Sequence, residues 1–190
     1  MSTLKVDNLL LQDNTKGTGR ILEVVSGVCD GRSITTISGT YQLENVTAIQ
    51  LLTTSVLPIT GSSITYTPPE GTKTVLYEFW AQYVAEDGSD SISHIELAID
   101  DVEVVSSRHS PGPYRNMHSS FKWAIQCNAG ANNADVGSFT SWTTPKELKL
   151  RGRSYSSAYD SYYHWTLWWD GTGASSSQVT RPVLTITAIG

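Results

Sequence analysis

The segment Thr74–Ala85, TVLYEFWAQYVA, constrains the fold more than any other stretch of the chain. Val75, Tyr77, Phe79, Ala81 and Tyr83 recur at every second position, while Leu76, Trp80 and Val84 lie on the opposite face around Glu78 and Gln82. A period of two belongs to a pleated strand, and β-branched and aromatic side chains suit its surface. Apolar residues on both faces predict a strand that is at least partly covered on each side. Such a strand needs neighbours, and the rest of the sequence supplies them. Ile21–Val28, Val183–Ile189 and residues 33–37, 40–53, 64–67, 92–99, 102–106, 121–127, 146–155 and 162–169 all read as strands. Turn chemistry separates them: Cys29-Asp30-Gly31, Gly61-Ser62-Ser63 and Pro68-Pro69-Glu70-Gly71, where proline presets φ and glycine accepts φ > 0. Asp100-Asp101 reads as a tight hairpin turn, because Asp tolerates the positive φ of two-residue loops. Strands recurring every ~8–15 residues, with no helical pattern beyond about two turns, predict an all-β fold, an antiparallel β-sandwich of jelly-roll type.

At 190 residues the chain has room for one domain with its own core. Charged residues make up only 16%, against 24 Ser and 22 Thr, a composition that favours strands and turns over helices. The net charge of −5 weighs against nucleic acid, and the basic residues Lys146, Lys149, Arg151 and Arg153 are too few for a phosphate-binding face. No apolar run reaches the ~18 residues of a membrane span, and the N-terminus has no signal-peptide pattern, so a soluble protein without membrane insertion is expected. Cys29 and Cys127 lie far apart and outside any metal-ligand spacing; two free thiols are expected.

The alternation also selects a core: Val75, Tyr77, Phe79, Ile95, Leu97, Ile99, Trp123 and Leu148. Leu148 and Leu150 point inward, with Lys149, Arg151 and Arg153 outward. Residues 20–190 form the predicted sandwich, and residues 1–19 a short N-terminal arm. Leu4, Val6, Leu9, Leu10 and Leu11 crowd this arm before the break at Gly17-Thr18-Gly19. Five apolar side chains in so short a segment suit docking on another protein.

Each pattern that could carry catalysis fails. His94, His109, His118 and His164 are scattered without zinc spacing, and no G-x-S-x-G elbow exists. The acidic loop from Glu86 to Asp90 lacks the regular oxygen spacing of a calcium loop. Asp100 and Asp101 are adjacent on a strand–turn path, so they point apart and cannot flank one glycosidic bond. No catalytic residue, metal site or cofactor is expected. The aromatic cluster Tyr155, Tyr159, Tyr162, Tyr163, Trp165, Trp168 and Trp169 serves mostly as core. Tyr159, Tyr162 and Tyr163 sit among Ser and Asp, as in adaptable binding surfaces, and are the candidates for contact with a partner or a surface glycan.

Several phrases carry a resemblance. Leu4-Lys5-Val6-Asp7-Asn8, GSSITYTPPEGTKTVLYEF from Gly61, GSFTSWTTPKELKL from Gly137 and the closing RPVLTITAI resemble recurrent phrases of small marine tailed-phage (cyanophage-like) virion proteins. The resemblance implies a β-sandwich head domain, homotrimeric, mounted on the virion by its N-terminal arm after assembly in the host cytoplasm. It points to a non-enzymatic tail-fibre or appendage subunit that touches other virion proteins and a host glycan or receptor. The alternative is a capsid decoration, cement or head-fibre protein.

Overall fold

In the computed structural model, which describes residues 19–85, 92–111, 117–158, 160–169 and 175–190, the chain forms antiparallel strands and no α-helix among the described residues. In chain order these are β1 (Ile21–Val28), β2 (Ser33–Thr35), β3 (Thr40–Gln42), β4 (Gln50–Leu51), β5 (Leu57–Pro58), β6 (Ile64–Tyr66), β7 (Thr74–Ala85) and β8 (Ser93–Ile99). They continue with β9 (Val102–Glu103), β10 (Met117–Gln126), β11 (Lys146–Ser154), β12 (Ser161–Tyr163), β13 (Trp165–Trp169), β14 (Ser175–Val179) and β15 (Val183–Ile189). One sheet runs β1-β15-β7-β10, with β12 and β4 extending it at the Tyr83–Ala85 end of β7. The other runs β9-β8-β11, with β6 and β5 sharing the far edge of β11. If β1, β6, β7, β8, β9, β10, β11 and β15 are numbered 1 to 8, the two orders are 1-8-3-6 and 2-7-4-5. That interleaving is the double Greek key of a jelly roll. The expected all-β sandwich is therefore the fold.

Alternation places the core between the layers. Val75, Tyr77, Phe79, Ala81 and Tyr83 of β7 meet Ile95, Leu97 and Ile99 of β8 and Leu148 and Leu150 of β11, all buried. The buried tyrosines keep their polar tips satisfied: Tyr77 donates to Ser62 O at 2.6 Å and Tyr66 to Glu23 Oε1 at 2.6 Å. Burial alone would raise the Glu23 carboxyl, yet hydrogen bonds from Ser38, Tyr66 and Thr36 outweigh it and hold the group below its ordinary value. Cys29 and Cys127 are free and buried, as expected, and burial pushes both thiols up to about 12.

Four readings need correction. Trp123 is half-buried, not core: β10 is the sheet's margin, and the indole reaches out to donate to Val136 O at 3.1 Å. The strand expected over 162–169 breaks at His164, which takes φ 65°. The run DGTGASSSQ from Asp170 to Gln178 reads as a loop, yet Ser175–Val179 is a strand that pairs with β13. The strand expected over 40–53 is only β3 and β4 with an irregular connection between them.

Candidate functional site

Tyr162 and Tyr163 are neighbours on β12 and therefore face opposite sides. Tyr163 is fully buried, its hydroxyl 3.0 Å from Ser119 Oγ and its ring edge-on to Tyr83 at 5.4 Å. The contact role expected for Tyr163 is withdrawn, because the side chain belongs to its own core. Tyr162 is half-buried, donates to Asp160 Oδ2 at 3.1 Å and meets Trp165 edge-to-face at 4.6 Å. Tyr159 lies outside the described residues. So do residues 1–18, with Leu4, Val6, Leu9, Leu10 and Leu11, and the acidic loop at 86–91.

Asp100 and Asp101 take φ 51° and 64°, the two positive angles of a type I′ hairpin turn, as their sequence predicts. Their carboxylates are occupied: Asp100 pairs with Lys146 at 2.9 Å and accepts from the Glu147 N–H at 2.9 Å, and Asp101 pairs with Lys149 at 2.7 Å. Lys149 holds the Asp101 carboxyl below its ordinary range.

A dense group of ionisable side chains covers the outer face of the second sheet. His94 and Glu96 sit two apart on β8, Arg151 lies opposite Glu96 on β11, and Glu103 arrives from β9 opposite Ala98. His94 Nε2 lies 2.7 Å from Glu96 Oε2, and Arg151 Nη2 forms a short ion pair with Glu96 Oε1. Arg108 grips both oxygens of Glu103 and, as the largest cause, lowers that carboxyl to about 2. One ligand atom each from His94, Glu96 and Glu103 falls within 4.8 Å of the others, a spacing that could enclose a divalent cation. However, each carboxylate already has a guanidinium partner, so a dication would add two charges with nothing to balance them. The arrangement works as an ionic staple across β8, β9 and β11. His94-x-Glu96 alternation was visible in the sequence, and the two-residue Asp100-Asp101 turn sets the register that places Glu103 opposite Ala98; the crossing of Arg151 from β11 was not visible there.

The outer face of the first sheet has the opposite character. Across its strands, Val183, Trp80 and Ser120 form one row, and Thr185, Glu78 and Lys122 the next. Thr187, Leu76 and Ala124 form a third row, which Val24 of β1 continues. Trp80 is 41% and Val24 43% exposed, large values for side chains of this size on a regular sheet. Trp80 stacks on His118 at 4.9 Å, and beside it Val183, Thr185 and Ser120 border a shallow depression of about 280 Å³. The charged pair in these rows is Glu78 with Lys122, at 2.8 Å.

Compared with known proteins, the chain matches no protein family and no curated protein.

Proposed function

We propose that the chain is a non-enzymatic structural protein of a tailed-phage virion, a short tail-fibre or appendage subunit that works as a homo-oligomer, with three copies the expected number. The arm of residues 1–19 carries it to other virion proteins, and the jelly roll presents its loops to the host surface. The observation that carries the reading is the outer face around Trp80, apolar and hydroxylic with a single ion pair among its central rows. A face of this kind suits burial by further copies, since interface cores are depleted of charge and enriched in aromatics. The buried thiols, protonated at neutral pH, offer no nucleophile, in keeping with a structural role.

The test is incorporation. Full-length chain and a variant lacking residues 1–16 are supplied during particle assembly, and purified virions are quantified by mass spectrometry. A small number of copies at the tail, lost with the arm while the isolated variant keeps its oligomeric mass and melting temperature, is the expected result. Hundreds of copies over the head would instead make the chain a capsid decoration or cement protein. Incorporation without the arm would move the attachment surface into the jelly roll.

A further inference from the structure

We infer that the outer face of β1, β15, β7 and β10 is the surface through which copies of this chain meet, with Trp80 as its anchor and Glu78 and Lys122 as a pair that exchanges partners between copies. The inference rests on the homo-oligomeric part of the proposed function and assigns it to particular residues.

Three observations converge on this face. The first is its composition: Val24, Leu76, Val183, Ala124 and Trp80 lie in continuous register with threonines and serines, and both Trp80 on the inner strand β7 and Val24 on the edge strand β1 stand over 40% exposed. Trp is the residue most often found as an energetic anchor at interfaces. The second is shape. Trp80 itself lines the depression with Val183, Thr185 and Ser120, so its exposed ring forms one wall of a hollow that a side chain of another copy can fill. The third is charge. Glu78 and Lys122 face each other across neighbouring strands, and both remain accessible, at 37% and 59% exposure. A surface that holds both members of an ion pair satisfies each of them when a two-fold axis apposes it to the same face of a second copy, so this contact builds the assembly from pairs. A foreign partner would need to supply the matching pair itself, whereas a second copy brings it by construction.

The size is adequate for the centre of a contact. Four strands ~4.8 Å apart, over seven residues at ~3.4 Å each, give a plane of about 450 Å². A standard interface covers about 800 Å² per partner, so side-chain relief and neighbouring loops have to contribute the remainder.

The experiment measures mass by light scattering and fold by far-UV circular dichroism for full-length protein. Wild type should give a multiple of 20.8 kDa. Trp80→Glu, which places a charge on an exposed position, should fall to the single-chain mass with an unchanged spectrum. Glu78→Lys and Lys122→Glu should each weaken the assembly, because each variant carries two like charges at the contact. Mixed one to one, they should co-assemble and recover the wild-type mass, a rescue that a purely intrachain role for the pair would not produce. If Trp80→Glu keeps the wild-type mass, or the mixture fails to recover it, copies meet elsewhere and this assignment is overturned while the homo-oligomeric reading stands. If wild type itself runs at 20.8 kDa, that reading falls as well.

Discussion

His164 should make this fold sensitive to mild acid. The side chain is wholly buried, neither ring nitrogen has a hydrogen-bond partner among the described residues, and its backbone takes φ 65° where β12 hands over to the β13–β14 hairpin. Its N–H donates to Gln82 O at 2.9 Å and its carbonyl accepts from Thr180 N at 2.8 Å, so the backbone is pinned while the ring nitrogens find no hydrogen-bond partner among the described residues. The Thr60 backbone is close enough to favour the charged ring slightly, but without the geometry of a hydrogen bond; desolvation wins and brings the imidazole down to about 4. An unfolded chain takes up this proton near its ordinary value of 6.5, and the folded chain only near 4. The group's contribution is therefore intact above pH ~6.5 and is lost as pH falls toward 4. A shift of this size corresponds to about 3 kcal/mol over the full window, of which about 2 kcal/mol falls between pH 7 and 5. That upper part of the window separates His164 from the carboxylates: Asp30 and Glu103, held at about 2 in the fold, lose their contribution only at lower pH. His109, which burial also pushes down, adds to the same slope. The comparison is therefore urea unfolding of wild type and His164→Asn at pH 7, 6 and 5. Asn accepts the positive φ and does not titrate, so the variant should lose about 2 kcal/mol less stability across this range than wild type. Equal losses in the two proteins would refute the reasoning.

Two substitutions test the packing. Leu97→Ala, at a fully buried site facing β7, should cost about 2–5 kcal/mol in urea unfolding through lost transfer energy and the cavity left behind; a cost below 1 kcal/mol would mean that the sheets do not pack as described. Gly61→Ala meets two obstacles, a φ of 84° and a new Cβ only 2.7 Å from both Pro182 Cγ and Val46 Cγ2. It should destabilise by about 2–5 kcal/mol. Gly71→Ala, with φ 87° and open space around the Cβ, should cost only the backbone part, about 1–2 kcal/mol, and thermal melts of the pair separate the two contributions.

The long strands were legible because their signal is local. β7 and β15 occupy the residues their alternation predicts, and the Asp100-Asp101 turn has the two positive φ angles that such a dipeptide favours. Where sequence reasoning missed, the deciding information lay in which strands pair and where each lies in its sheet. Ser175–Val179 has little strand propensity and becomes a strand because it pairs with Trp165–Trp169. Tyr163 sits in a Ser- and Asp-rich stretch that reads as surface, yet Ser161 and Tyr163 pair with the end of β7, and that register turns the ring into the core. Trp123 follows the inward alternation correctly, but nothing local says that β10 lies at the margin of its sheet. The same holds for function. The charge-poor outer face exists only once residues 24, 76, 80, 124 and 183 from four strands are aligned, and the ionic staple only once Arg151 of β11 lies opposite Glu96.

The pairing of β1 with β15 has a consequence for how the protein is made. Ile21 finds its partner at Ile189, and the same β15 also zips along β7 from Thr74 to Trp80. During synthesis, β1 and one edge of β7 thus stay without a partner until the end of the sequence has emerged. At about 5–20 residues per second the wait after β1 lasts about ten to thirty seconds. For that time two unpaired edges and their apolar residues are exposed to other nascent chains, the condition under which strands join the wrong partner. Closure then requires contacts more than 150 residues apart, which places folding at the slow end for a domain of this size. Yield in the producing cell should accordingly respond to chaperone supply and to growth temperature more than to changes in the stability of the finished fold.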